Sequence, residues 1–302
     1  MAYYSGTAAS LTALRTALLT HAVADGWTLT GDVLSKAGVY FNIQETATNI
    51  TCLGCESNAV ANPAPNLAQI GRIFQRSGYP TREISFPCSY EVFGFAQEIY
   101  LVVNYDVDLY QWMAFGASTV PGLAGQGGWF GATCGSAFIT TTTTAPIAIT
   151  ANDGGSNTQE YVCPALFHTV NQRYQHARNA YVNHGFDALG WLWKSSFLDS
   201  CIGIRAAAPL YGILPSAWNS ESVLLPLMAM LERPSFKSSL VLSLNDARRC
   251  RIDNFAPGDI LTIGSDQWKV FPWYKKDVAA RNGGSGIDHS GTLGWAIRYE
   301  GP

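Results

Sequence analysis

Charged residues are scarce in this chain of 302 residues: they make up only 14% of it, whereas an average soluble domain has about 25%. Hydrophobic residues reach 47%, and uncharged polar residues and glycine account for much of the rest. A freely diffusing monomer normally keeps a more charged surface. The composition therefore favours a β-rich subunit whose surface is partly covered by neighbours in an assembly.

The chain also lacks a basic run, a long apolar run and a leader-like N-terminus. Lysine and arginine are scattered and the formal net charge is −3, which argues against an electrostatic nucleic-acid surface. The most apolar stretch, residues 223–231, contains Pro226 and falls short of the roughly 20 residues of a membrane span. We expect a protein made in a cytoplasm, with no membrane and no sequence-specific nucleic acid among its partners.

Motifs that carry chemistry are missing as well. The Gly-rich segment 122–128 lacks the Lys and Ser or Thr of a phosphate loop. Asp288, His289 and Ser290 are sequence neighbours, whereas a catalytic triad brings together residues from separate places. Asp106 and Asp108 share one face of a predicted strand, where charges that prevent unwanted strand pairing are more common than an acid/base pair. We expect no enzyme and no cofactor, and keep a glycan hydrolase built on these aspartates as the alternative.

The N-terminal section predicts a helix packed on an antiparallel sheet. Leu11, Leu14 and Leu18 recur at helical spacing, Thr7 is a candidate N-cap and Gly26 ends the pattern. A second short helix is expected over residues 67–78. Strands rich in β-branched and aromatic residues are expected at 39–43, 50–53, 84–95, 98–105 and 106–115.

The second half of the chain is expected to be mostly β. Gly- and Thr-rich loops follow residue 116, and we place a domain boundary so that residues 1–118 form an α+β domain and residues 119–302 a β-rich one. Strands are expected at 222–231, 238–244, 260–263, 268–273 and 293–299, and a helical turn at 245–250. The overall prediction is an α+β, β-rich fold with a mostly β C-terminal region.

Several segments resemble structural proteins from the neck and tail of tailed bacteriophages. They span nearly the whole chain: residues 1–8 (MAYYSGTA), 26–27, 32–38, 102–116 (VVNYDVDLYQWMAFG), 129–133, 268–277 (WKVFPWYKKD) and 284–302. The N-terminal section is similar to a tail terminator, the ring protein that caps a finished tail and joins it to the head. The resemblance carries over no catalytic residue.

The resemblance implies a non-enzymatic virion component that assembles with copies of itself, as in a hexameric ring, and with other tail or neck proteins. A collar, minor capsid or baseplate protein is the first alternative. Rigid aromatics suit such interfaces, so Trp129, Phe130, Trp273 and Tyr274 are candidate interface residues. A carbohydrate-binding β-protein, with exposed Trp and Tyr stacking on sugars, is the second alternative.

The cysteines leave two interpretations open. The seven are Cys52, Cys55, Cys88, Cys134, Cys163, Cys201 and Cys250. In a reducing cell they stay reduced and buried, but a virion later leaves that cell, so late disulfides become possible, including one between subunits. Cys52 and Cys55 form a C-x-x-C pair, yet no second pair supplies the four ligands of structural zinc, so no metal is expected.

Overall fold

A computed structural model describes most of the chain. The described residues are 1–59, 67–71, 83–123, 125–135, 165–167, 180–185, 190–191, 223–233, 237–281 and 289–301. Among them no helix is both long enough and apolar enough to cross a membrane.

The described residues form one helix and seventeen strands. The helix is α1 (Leu11–Ala24), and the strands are β1 (Ala2–Ala8), β2 (Thr28–Thr30), β3 (Val33–Lys36), β4 (Val39–Glu45), β5 (Asn49–Cys55), β6 (Ala68–Gly71), β7 (Cys88–Gly94), β8 (Glu98–Asp106), β9 (Leu109–Ala117), β10 (Gly128–Ala132), β11 (Cys134–Gly135), β12 (Ala180–Val182), β13 (Leu225–Arg233), β14 (Lys237–Arg251), β15 (Ile260–Ile263), β16 (Asp266–Pro272) and β17 (Leu293–Tyr299).

These strands form three antiparallel sheets. Sheet A has the order β1-β7-β8-β9-β10-β12, sheet B the order β11-β6-β5-β4-β3-β2, and sheet C the order β13-β14-β17-β16-β15. Five of the ten neighbouring pairs in sheets A and B are joined by connections of two or three residues, as expected of hairpins and meanders: β2–β3, β3–β4, β4–β5, β7–β8 and β8–β9. In sheet C the last strand, β17, inserts between β14 and β16.

Sheet A is the middle layer, because both of its faces are buried. Along β8, Ile99, Leu101 and Val103 belong to one apolar core, while Tyr100 and Val102 belong to a second core on the opposite face. Side chains alternate between the two faces of a strand, so a strand buried on both faces is apolar throughout. This explains the continuous hydrophobic run in β8.

The first core lies between sheet A and sheet B and includes the buried face of the helix. Phe41 of β4 packs against Phe115 of β9, with ring centroids 5.1 Å apart, and Trp27 contacts Phe115 at 5.3 Å. Leu14 and Leu18 of α1 are fully buried in the same core. The helix is therefore an accessory to a two-sheet sandwich.

The second core lies between sheet A and sheet C and is dominated by tryptophan. Trp295 of β17 stacks on Trp273 at 4.7 Å with an interplanar angle of 20°, and its ring centroid is 5.5 Å from that of Trp112 in β9. Phe271 of β16 meets Phe93 of β7 at 6.0 Å. These rings join the last part of the chain to the first.

The predicted α+β class is wrong. The described chain is largely β, with three sheets and a single 14-residue helix. Where a second helix was expected from residue 67, the chain forms strand β6, whose four residues are all buried; the rest of that segment lies outside the described residues. Pairing of β6 with β5 overrides the helical spacing of its apolar residues.

Two local predictions are also wrong. Ser10, not Thr7, caps the helix, since its side chain accepts a hydrogen bond from the backbone N–H of Ala13 at 3.1 Å. Thr7 lies in β1 and pairs with Ser89. Residues 245–250 form no helical turn, because β14 continues to Arg251 and pairs there with β17.

Most strand predictions are confirmed, and the last strand matches residues 293–299 at both ends. The boundary after residue 118 stays a prediction. It falls between β9 and β10, which pair with each other in sheet A.

Trp191 is wedged between the first two sheets. Its ring lies against two glycines, Gly54 in β5 and Gly128 in β10, at positions where any side chain would meet it. A Cβ atom on Gly54 would lie 2.4 Å from the ring, and one on Gly128 would lie 2.9 Å away. Because glycine has no side chain, these two positions leave the space that the indole ring of Trp191 occupies.

Gly54→Ala is expected to destabilise the protein by about 1–3 kcal/mol, because the added methyl group overpacks the buried ring. The unfolding free energy from urea denaturation measures the loss. A double-mutant cycle with Trp191→Phe is the control, since the smaller ring should relieve part of the clash. If the changes in unfolding free energy of the two single variants simply added in the double variant, the contact between Gly54 and the Trp191 ring would be contradicted.

Candidate functional site

An open edge of sheet C is the best candidate for a functional surface in the described chain. Strand β15 ends the sheet, with no partner strand on its outer side among the described residues. Its Ile260 and Ile263 side chains are each 45% exposed. An edge strand presents unpaired backbone N–H and C=O groups, and exposed β-branched residues on it favour pairing with another strand. The sequence predicted this strand correctly, but not its place at an edge.

Beside this strand lies a polar pocket, here called the edge pocket. Its volume is about 370 Å³, and it is lined by Thr262, Ser265, Asp266, Gln267, Arg298, Tyr299 and Glu300. The β15–β16 hairpin and the end of β17 bring these residues together. The lining includes one guanidinium and two carboxylates, so the pocket is polar and slightly acidic.

Arg298 forms ion pairs with three carboxylates in and beside the pocket. Its guanidinium lies 3.3 Å from Asp266, 3.5 Å from Glu300 and 3.8 Å from Asp246. The arginine is 39% exposed, and ion pairs of this kind contribute little to stability individually. The group is better suited to orienting a polar partner at the rim of an interface than to holding the fold together.

Asp246 connects the pocket to a buried carboxyl group between sheets A and C. Glu98, at the start of β8, is only 2% exposed and accepts a hydrogen bond from the Tyr100 hydroxyl at 2.5 Å. The backbone N–H groups of Asn245 and Asp246 donate to the same carboxyl at 3.4 Å. Glu98 thereby ties β8 to β14.

Burial is the main cause that raises the pKa of Glu98 to about 7. The Tyr100 hydrogen bond opposes this shift, and the nearby Asp246 carboxylate adds to it. Burial also raises the pKa of Asp246, against the attraction of Arg298. Glu98 therefore changes charge near neutral pH. The sequence offered one signal, a single acidic residue opening an apolar strand.

The four aromatics predicted to line an interface lie inside the protein. Trp129, Phe130, Trp273 and Tyr274 are each at most 1% exposed. Trp129 and Trp273 belong to the core between sheets A and C, and Phe130 and Tyr274 to the core between sheets A and B. Their interface role stays a prediction, and in this conformation none of them reaches the surface. The exposed large hydrophobic residues of the described chain are aliphatic.

The described cysteines are buried. Cys52, Cys55 and Cys88 carry free thiols, Cys134 and Cys250 are buried too, and Cys163 and Cys201 lie outside the described residues. Burial raises the pKa of Cys88 to about 11 and also raises the pKa of Cys52. Buried, protonated thiols react slowly, so a disulfide stays a prediction that would require these side chains to become exposed.

The acidic pair considered for catalysis forms a turn. Asp106 accepts a hydrogen bond from the backbone N–H of Val107 at 2.7 Å, and Asp108 has a positive φ of 57° in the β8–β9 connection. Both are exposed. Within the described ranges, no group of three or more His, Cys, Asp or Glu residues is placed to hold a metal ion. Asp288 lies outside those ranges.

The sequence matches no known family model and no curated protein. Inference about function therefore starts from the edge strand, the edge pocket and the composition of the chain.

Proposed function

We propose that this protein is a non-enzymatic structural component of a tailed-bacteriophage virion, in the neck or tail. The observation that carries the assembly role is the open edge strand β15, with its two exposed isoleucines and an adjoining polar pocket. The assignment to a phage particle rests on the resemblance of the sequence segments described above. The low proportion of charged residues also suits a subunit surrounded by neighbours.

The partner is a strand of a second copy or of another virion protein, which adds to sheet C beside β15. Main-chain hydrogen bonds supply the affinity in this mode of recognition, and side chains on alternate positions supply the specificity. Ile260 and Ile263 provide apolar contact, while Asp266 and Arg298 lie at the polar rim.

The position within the particle is a narrower proposal. The similarity to a tail terminator was linked to an α+β N-terminal section, and that section is instead part of a layered β structure. Collar, minor capsid and baseplate positions are therefore as compatible with the fold as a terminator ring. A carbohydrate-binding role has less support, since no aromatic side chain is among the exposed large hydrophobics of the described chain.

Lysine at the edge strand is expected to block assembly. Ile260→Lys and Ile263→Lys each place a charge where a partner strand would pair, a device that natural edge strands use to avoid association. Native mass spectrometry should show an oligomer for the unmodified protein and at least a tenfold weaker association for either variant. The isolated substitutions should leave the unfolding transition nearly unchanged, because both positions are exposed.

Val107→Lys is the matched control, since Val107 is 80% exposed but lies in the β8–β9 turn. It should assemble like the unmodified protein. If the unmodified protein were a monomer at every concentration, or if all three variants associated equally, the β15 interface would be contradicted.

The virion assignment is tested separately: peptides of this chain should be found in gradient-purified particles of the phage that encodes it, and their absence would refute that assignment.

A further inference from the structure

Arg249 is a buried cation with unused hydrogen-bond donors. It lies in β14, is only 2% exposed, and its Nη2 atom donates to the backbone carbonyls of Leu166 at 3.0 Å and Phe167 at 2.7 Å. Its Nε and Nη1 atoms have no hydrogen-bond partner among the described residues. By contrast Arg251, two residues further along, forms an ion pair with Asp253 at 3.2 Å.

Two tryptophan N–H groups in the same core are also unused. Trp295 is directly opposite Arg249 on the neighbouring strand β17. The rings of Trp295 and Trp129 lie 5.8 Å and 6.0 Å from that of Tyr100, and Trp129 is 6.2 Å from Phe167, whose carbonyl binds Arg249. The Nε1 atoms of Trp129 and Trp295 are buried without a partner in the described part of the chain.

These contacts link the residues into one buried region that has several donors and a positive charge. Each buried donor without an acceptor costs about 1–3 kcal/mol, and a buried charge without a counter-ion costs several kcal/mol more. Native proteins pair nearly all such groups. A group that satisfied these donors would have to accept hydrogen bonds and carry negative charge.

We propose that the core between sheets A and C holds a small oxyanion, a carboxylate or phosphate, bound by Arg249 with the indole N–H groups of Trp129 and Trp295. The guanidinium supplies charge and directional N–H donors suited to oxygen acceptors, and the indoles supply one donor each. This site is independent of the proposed assembly surface, because β15 lies at the opposite side of sheet C from the β13–β14 pair.

Anion binding is expected to be visible in the whole protein as a thermal shift and as a change in tryptophan fluorescence. Sodium phosphate and sodium acetate are titrated separately at constant ionic strength, with sodium chloride as the balance. Phosphate or acetate at about 100 times its dissociation constant should raise the melting temperature by several degrees. No response beyond that of chloride, with both anions, would overturn the proposal.

Single substitutions test which residues bind the anion. Arg249→Met should abolish the anion-dependent shift, whereas Arg248→Met should keep it. Arg248 is the adjacent residue, but its guanidinium instead donates to the carbonyls of Leu244 and Ala247. Trp129→Phe and Trp295→Phe keep an aromatic ring but remove one donor, so each should weaken binding by about fivefold, the effect of one modest hydrogen bond.

The two Trp→Phe variants also decide the result if Arg249→Met does not fold. Unchanged anion affinity in both would overturn the site. If Arg248→Met abolished the anion-dependent thermal shift while both Trp→Phe variants kept it, the anion would bind elsewhere, and the proposed site would be overturned as well.

Discussion

Trp295→Ala is expected to lower the unfolding free energy by about 3–5 kcal/mol, the usual range for removing a large buried aromatic side chain. Trp295 is fully buried and lies where sheet C meets the middle sheet. Its indole stacks on Trp273 at 4.7 Å and contacts Trp112 at 5.5 Å and Tyr100 at 5.8 Å. The alanine variant would leave a cavity bordered by three other aromatic rings. Urea denaturation followed by circular dichroism measures the loss.

Trp295→Phe is the graded comparison, since it keeps most of the aromatic contact and should lose well under half as much stability. Tyr40→Ala in β4 is the matched control, because Tyr40 is a half-buried aromatic residue outside the apolar cores. Its loss should be clearly smaller. Equal losses for Trp295→Ala and Tyr40→Ala would show that the tryptophan cluster does not join sheets A and C.

Glu98→Gln is expected to remove most of a pH dependence of stability near neutrality. Burial raises the pKa of Glu98 from 4.5 to about 7, so the folded state binds the proton more tightly than the unfolded state. Proton binding by Glu98 therefore stabilises the folded state. This stabilisation is complete below pH 4.5 and is lost as the pH rises through 7. The shift corresponds to about 3 kcal/mol, at 1.36 kcal/mol for each pKa unit.

Urea denaturation at intervals between pH 4.5 and pH 8 tests this prediction. The unmodified protein should lose stability across that range, and the glutamine variant should lose much less, because its side chain cannot ionise. Burial also raises the pKa values of Asp25 and Asp246, which contribute a slope of the same sign, and it lowers the pKa of His21, which contributes a slope of the opposite sign. Glu300→Gln is the control, since Glu300 is half exposed. Parallel curves for the unmodified protein and Glu98→Gln would refute the assignment.

The position of Glu98 gives this titration a structural consequence. Its carboxyl accepts hydrogen bonds from the backbone N–H groups of Asn245 and Asp246, which belong to sheet C, while Glu98 itself belongs to sheet A. Asp246 in turn lies 3.8 Å from Arg298 in the edge pocket. Protonation of one buried side chain is thus linked by contacts to the charges beside the proposed assembly edge.

Strands were predictable where their side chains show β-branched and aromatic enrichment between turn residues. Strands β8, β15 and β17 fall where the pattern places them. The α+β class was not correct, because a short apolar segment such as residues 67–71 satisfies helical and strand spacing alike. Its pairing with β5 decides the outcome, and that pairing is a contact between segments distant in the chain.

Most residues of the candidate site could not be predicted from the sequence. Abundant aromatics suggested an interface, but Trp129 and Trp273 fill the second core instead. A protein with one sandwich has one core to fill, whereas a middle sheet buried on both faces requires two. The surplus of large rings is the consequence of that third layer. Glu98 had no signal beyond an isolated charge at the start of an apolar strand, and nothing in the sequence distinguished Arg249 from the neighbouring Arg248 and Arg251.

The sequence by itself determined where ten of the seventeen described strands lie, how little charge the surface can carry and which familiar motifs are missing, because these properties depend on local residue type and spacing. Only the tertiary structure decided that sheet A is covered twice, that β15 is left as an open edge and that Glu98, Arg249 and Trp295 lie between sheets. The physical reason is that alternation reveals an inner face only when the other face meets water. In a strand buried on both faces, the partner and the layer are set by long-range packing.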